Sequence, residues 1–494
     1  MKEMKKYITI FLVGLIALTS CEEDFLDVNT NPNASSEVPP GTLMMNAAIA
    51  LSQNRLNTLS PDGAAYVQHH KPIVVLTAPD TYGFSEIGNN NFWEFSFYQD
   101  IIKDPNLAIG IAEDNGNLNV VAQLKLLQAF AWIHGIDRWG QMPFFQVNQE
   151  EFVNPEFDEG ADVYQGIIDL IDEALALIDL TQQVEPFTIV DFDHIYAGNM
   201  DNWEAFGNTL KLRALMRLSY VENRDAEISA LLGSGANFID AEDGSEDAVF
   251  RYFNERPNQN FDYATFDNFT NFNSFLPSAS DRQHQAWRLA SNRMVSLLTA
   301  DNDPRLYSFF TPFYTQPDDF AFTGAVNGAA PLPDADQRGF VTNFYIRQDA
   351  PDVWLAASEF WLLSAEAYER GIAAGSAQDA FASGTRAHMS IYNGFDEEIS
   401  DADIATYITE NSLGGKADAE SFIQQELYKA LFGNGVEAWS HWRRTKRPAL
   451  TPAVGGQINT VISRIPLPQS TLGSNSNAPE VSPLRDAPIF FERQ

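Results

Sequence analysis

Residues 203–219 read Trp203-Glu204-Ala205-Phe206-Gly207-Asn208-Thr209-Leu210-Lys211-Leu212-Arg213-Ala214-Leu215-Met216-Arg217-Leu218-Ser219, and the spacing of their apolar side chains sets the fold class. Phe206, Leu210, Ala214 and Leu218 recur every fourth position, which predicts a helix over 203–222 with these residues on one face. Arg213 and Arg217 lie one turn apart on this largely apolar helix. They are therefore expected to meet carboxylates such as Glu366 or Glu437 rather than a ligand. The same spacing predicts helices over 43–57, 92–113, 119–136 (Leu124, Leu127, Ala131, His134) and 162–179 (Val163, Ile167, Leu170, Ala174, Leu177). Four more are predicted over 286–300, 358–370, 376–392 and 420–433.

Asn115-Gly116, Asn393-Gly394 and Asn434-Gly435 adjoin these segments, where Asn or Gly takes up the left-handed conformation that ends a helix. Paired antiparallel helices follow, although no short-period sequence repeat is present. Around 237–285 and 311–357 the periodicity gives way to Pro, Gly, Asn, Asp and aromatic residues. These are expected to be long irregular inserts on a helical frame, and long loops held by a rigid frame commonly carry function.

The chain of 494 residues, 45% hydrophobic, is long enough for two or three compact units or one large helical one, and composition does not choose. Sixty-seven acidic side chains against 31 basic give a net charge of −36, which repels nucleic acid and favours neutral or cationic ligands. The single cysteine, Cys21, excludes an internal disulfide and a cysteine-based metal or redox site.

Lys2, Lys5 and Lys6 precede the apolar run Tyr7–Leu18, and Leu18-Thr19-Ser20-Cys21 follows. This predicts a signal peptide over 1–20, too short to serve as a permanent span, which needs ~20 apolar residues. Leu18–Cys21 looks like a bacterial lipobox, with Cys21 lipidated and the protein held at the membrane only by acyl chains. The alternative is an ordinary signal peptide beside an incidental cysteine. Residues 21–40 are polar and rich in Asn, Ser and Pro, so they are expected to be a flexible tether to one helical domain over 41–494. Glu22, Glu23 and Asp24 resemble the surface-export signal of Bacteroidetes lipoproteins, which implies the extracellular side of the outer membrane.

No His-Glu-x-x-His, Gly-x-Ser-x-Gly, phosphate-loop or dinucleotide motif is present, so neither a catalytic nor a metal site is indicated and no cofactor is expected. The run Glu242–Asp247 hints at calcium, but an EF-hand would place its first ligand at Ile239, and a solvated acidic loop is the better reading. Trp93, Trp139 and Trp439 sit beside apolar neighbours on helices or at helix ends and are expected to pack inside.

Several stretches in order resemble the SusD/RagB family of outer-membrane nutrient-binding lipoproteins, and most of all its SusD-like subgroup. They begin with Cys21 and Leu26–Asn33, then Leu126-Gln128-Ala129, Asp137–Pro143, Trp203–Arg213 and Met216–Ser219. Asp303-Pro304-Arg305, Glu366–Gly371 and Glu437–Arg444 continue the pattern, whereas Arg464–Gln469 lacks the Tyr-Pro and Glu spacing common in relatives. The resemblance implies an all-α fold of tetratricopeptide-like helix pairs stacked in a right-handed superhelix with irregular loops packed on it. It also implies a binding protein, not an enzyme, that passes a glycan or a peptide to a SusC-like TonB-dependent transporter.

Glycans present flat C–H faces bordered by hydroxyls, so aromatic rings edged by amides and charged groups mark candidate sites. Residues 261–287 supply Phe269, Asn271, Phe272, Asp281, Arg282 and Trp287. The phenylalanines at 266, 269, 272 and 275 are spaced by three, so core packing competes with binding for them. A second candidate is the loop 77–91, with Tyr82, Phe84, Asn90 and Asn91. An oligopeptide is the alternative cargo, because phenylalanine-rich pockets suit apolar side chains, and a secreted hydrolase on a helical frame is the alternative from another class.

Overall fold

The computed structural model describes residues 38–72, 77–181, 192–255, 258–261, 263, 288–312, 323–329 and 339–493. Helix α1 (Pro40–Asn54) passes through a wider π turn at Arg55–Leu59 into α2 (Ser60–Tyr66). A π stretch at Phe92–Lys103 leads into α3 (Asp104–Asp114), so the helices expected over 43–57 and 92–113 are each divided. Helices α4 (Leu118–Trp139), α5 (Gly160–Leu177) and α6 (Met200–Leu218) follow. Helix α7 (Asn292–Ala300) precedes α8 (Ala357–Glu369), α9 (Ala377–Ser390), α10 (Ala419–Ala430) and α11 (Gly435–Thr445).

Successive helices pack in pairs: α3 on α4, α4 on α5, α5 on α6, and α8 on both α9 and α10. This is the tetratricopeptide-like arrangement. Helix α4 is buried on every side, which its apolar composition permits only because neighbours cover its whole circumference. Helix α5 shows the expected stripe, with Val163, Ile167 and Ala174 buried.

Asn115-Gly116 and Asn393-Gly394 make the expected left-handed turns, but Asn434-Gly435 starts a helix instead of ending one. There the left-handed turn falls on Gly433, at φ +91°, and Asn434 stands at the N-terminus of α11. The helix expected over 286–300 begins only at Asn292, because Arg288–Ala290 forms a strand and the Ser291 side chain caps α7 by accepting from Met294 N–H at 3.0 Å.

Charged side chains bind the helices together inside the core. Arg213 on α6 makes a two-point pair with Glu359 on α8 at 2.6 and 2.7 Å. Arg217 pairs the same way with Glu437 on α11 at 2.6 and 2.7 Å and also reaches Asp137 on α4 at 3.4 Å. Glu366 is held by Arg444 at 2.6 and 2.7 Å and does not serve Arg213. A third cluster joins Arg305 and Lys429 to Asp303 and Glu426.

Eight short strands are set between the helices among the described residues, four of them in or at the edge of the expected inserts. These are β1 (His70–Pro72), β2 (Gln141–Met142), β3 (Asp158–Glu159), β4 (Ala248–Phe250), β5 (Arg288–Ala290), β6 (Phe310–Pro312), β7 (Gly339–Val341) and β8 (Asp352–Leu355). Strands β1, β5, β7 and β6 form an antiparallel sheet in that order, while β2 pairs with β3 and β4 with β8. The helical class stands, with small sheets set between the helices.

Candidate functional site

Pairing of β1 with β5 sets Pro72 opposite Arg288. This pairing anchors the strand that precedes the candidate segment 77–91.

Asp80 fixes the base of the first region. Its carboxylate accepts from the buried Lys71 Nζ at 2.6 Å and Asn327 Nδ2 at 2.9 Å, and from the half-buried Gly328 N–H at 2.6 Å. Gly328 is required there, since its φ is +76° and a Cβ would stand 2.0 Å from the Val454 carbonyl oxygen. The expected loop 77–91 is in part helical, with short helices at Thr77–Asp80 and Glu86–Asn91. The second is capped by Ser85, which accepts from Gly88 N–H at 3.0 Å.

Tyr82 lies inside, with 1% exposure and φ +63°. Its hydroxyl accepts from Ala453 N–H at 2.7 Å, its carbonyl accepts from Arg485 at 3.0 Å, and burial pushes its phenol above the ordinary value. The ring is a strut between the loop and the C-terminal segment, not a platform open to ligand. Phe84 is half-buried beneath the Arg485 guanidinium, 4.7 Å from its centroid. Asn90 is half-buried and Asn91 exposed, while neighbouring Asn89 is buried and joins Trp139 Nε1 to the Pro466 carbonyl. Phe269, Asn271, Phe272, Asp281, Arg282, Trp287 and the lipidation candidate Cys21 lie outside the described residues. Trp93, Trp139 and Trp439 are buried as expected.

Beside the sheet is a cavity of about 350 Å³ walled by His70, Arg288, Tyr345, Arg347, Phe395 and Phe432, among others. Arg347 lies between the Phe344 and Phe395 rings, 4.8 and 4.5 Å from their centroids, and pairs with Asp349 at 3.0 Å. Phe432 stacks on Phe309 at 4.2 Å, so this wall is rigid. Two acids on the wall, Asp352 and Glu359, are already held by Arg55 and Arg213. The wall comes from segments scattered between Leu56 and Asn434, and no local sequence signal groups them.

Burial keeps the cavity's His70 and His388 well below the ordinary imidazole range, and it lowers His69 and His441 to about 3. These rings are neutral at physiological pH and do not serve as poised proton carriers. Among the described residues no group of three or more His, Cys, Asp or Glu is placed to hold a metal ion, and no helix is long and apolar enough to cross a membrane. The arrangement can grip a ligand through rings, guanidinium groups and amides.

A tetratricopeptide-like frame carrying a loop-built cavity defines a class of helical binding proteins. Within that class, the chain belongs to the SusD-like family described as "Starch-binding associating with outer membrane", whose model matches residues 32–468. Solved structures share the fold. A chitin-binding protein matches with a TM-score of 0.76 at 19% identity, over 92% of this chain and 100% of its own. A SusD-like protein of Bacteroidetes gives 0.76 at 20% identity, over 92% and 100%. A SusD homologue from Bacteroides fragilis gives 0.73 at 19% identity, over 93% and 100%. No curated protein matches the chain.

Proposed function

We propose that this chain is a surface lipoprotein, lipidated at Cys21 after removal of a signal peptide over 1–20, that binds extracellular oligosaccharide and delivers it to a SusC-like TonB-dependent transporter. The observation that carries the reading is the cavity beside the sheet, where the Arg347 guanidinium lies between the Phe344 and Phe395 rings on a rigid frame. Family membership supports a glycan cargo and an outer-membrane setting, and the likeness to a chitin-binding protein points the same way. The charge of −36 favours a neutral glycan. Phe84, Asn90, Asn91, Phe269, Asn271, Phe272, Asp281, Arg282 and Trp287 are the proposed contacts. Capture and release constitute the whole activity, without bond cleavage.

Calorimetry of protein lacking residues 1–21 against neutral malto- and chito-oligosaccharides tests the reading. Saturable binding that Trp287→Ala abolishes is expected, with no product formed on long incubation. Steady cleavage of the glycan would replace this reading with the hydrolase one. The apolar Phe432, Leu431 and Ile391 on the cavity wall favour oligopeptide as the second cargo, and binding of peptides with no response to glycans would select it. Fatty-acid labelling that disappears in Cys21→Ala tests the anchor, and co-purification of a barrel protein from outer membranes tests the partner.

A further inference from the structure

A second cavity of about 350 Å³ lies beside the acidic run and is bordered by His194, Asn202, Ser245, Asp247, Arg251 and Phe253. Its floor is the end of a column of near-parallel rings. His194 stacks on Phe250 at 5.7 Å and 16°, Phe250 on Trp354 at 6.2 Å and 15°, and Trp354 on Phe130 at 4.9 Å and 14°. The inner end is fixed by the guanidinium groups of Arg55 and Arg213, 5.4 and 5.7 Å from the Phe130 centroid. Phe253, 46% exposed, meets the outer ring at 85° and forms a wall against the floor.

The turn that presents His194 is equally constrained. Asp193 accepts from the N–H groups of Ile195, Tyr196 and Gly198, each at 3.0 Å, and from Trp203 Nε1 at 2.7 Å. Across the cavity Arg251 is exposed and makes no hydrogen bond or ion pair among the described residues. Asp247 is engaged on one oxygen by Ala357 N–H at 2.8 Å. Arg251 and Asp247 line the first cavity as well.

We propose that this cavity is a second glycan subsite, in which a single neutral pyranose ring lies on His194 against Phe253 with a pair of its hydroxyls on Arg251. A fixed ring floor meets the C–H face of a sugar with little loss of side-chain freedom, and a guanidinium fork offers parallel donors to adjacent oxygens. A neutral ring fits better than an acidic one because the acidic run Glu242–Asp247 borders the cavity through Ser245 and Asp247 and the whole chain is strongly acidic. The cavity is at the small end of the ligand-pocket range, which suits a monosaccharide unit. The subsite rests on the glycan-binding reading above.

Titration with methyl β-D-glucopyranoside, followed by NMR of the histidine ring resonances, tests it, since the other described histidines are buried. A saturable shift of the His194 signals is expected, weakened about tenfold in Arg251→Ala and in Phe253→Ala, whose side chains are exposed and whose loss leaves the fold intact. No His194 response at saturating glucoside, an unchanged affinity in Arg251→Ala, or tighter binding of glucuronate would overturn the proposal. If His194 stays silent while calorimetry still detects oligosaccharide, the subsite alone fails. If oligosaccharide does not bind and His194 responds, the subsite stands and the transport reading falls.

Discussion

The helical frame and the sheet-and-loop region are both held by buried charge, but they use it differently. In the frame, Arg213, Arg217, Glu359, Glu437 and Asp137 come from four helices and neutralise each other in two-point pairs. In the loop region one carboxylate, Asp80, serves a lysine, an amide side chain and a backbone N–H at once. The frame therefore resists the loss of any one hydrogen bond but not of a charge, because an unpaired buried guanidinium is costly. The loop region concentrates its register in a single residue.

The largest effect is expected at Glu437. Glu437→Ala leaves Arg217 and part of Arg213 unpaired in the core and should lower stability by about 3–5 kcal/mol, read as a large fall in the urea midpoint. A midpoint within the error of wild type would mean that the frame does not depend on these pairs.

Acidity separates the two regions next. Burial pushes Glu366 up, but the Arg444 guanidinium, helped by Arg370, more than offsets this and holds it at about 2. A carboxyl held below its unfolded value contributes stability that is present above about pH 4.5 and lost as pH falls toward 2, an effect of about 3 kcal/mol. Asp247, at the edge of the inserts, behaves in the opposite sense. Burial raises it to about 7 against the weaker pull of Ala357 N–H, so its contribution is full below pH 3.8 and lost as pH rises through 7. Asp247→Asn should accordingly gain stability at pH 8 and none at pH 4, and Glu366→Gln should flatten the acid limb. Parallel pH profiles for the two variants would erase the distinction.

Asp80→Ala should cost about 2–3 kcal/mol, because three donors lose one acceptor. The informative measurement is hydrogen exchange. Protection at Gly328 is expected to collapse while α4 to α6 keep theirs, and uniform loss across the helices would make Asp80 part of the frame.

Much of the frame was legible in the sequence because helical periodicity is local and unbroken from Leu118 to Trp139 and again through α5 and α6. The pairing of Arg217 with Glu437 was also within reach, since buried cations require partners. Arg213 takes Glu359 as its two-point partner and reaches the expected Glu437 only at 3.7 Å, a matter of three-dimensional proximity that spacing does not encode. The strands were missed because they run two to four residues and owe their existence to a partner far along the chain. The ring column from His194 to Phe130 is a tertiary object for the same reason, drawn from four separate segments.

Tyr82 shows how a reading by residue type goes astray and gives the smallest predicted effect. An aromatic residue in a loop beside three asparagines has the composition of a glycan platform, yet its positive φ turns the ring inward to meet Tyr66, 6.4 Å away. Tyr82→Phe keeps the ring and removes only the acceptor for Ala453 N–H, so a loss of about 1 kcal/mol is expected, with glycan affinity unchanged. Phe84, nearer the surface, provides the contrast. Phe84→Ala should weaken the glycan while leaving the urea midpoint almost untouched. The reverse outcome, with affinity lost in Tyr82→Phe and kept in Phe84→Ala, would put the phenol oxygen in the site and make the buried strut a position reached only after the loop opens.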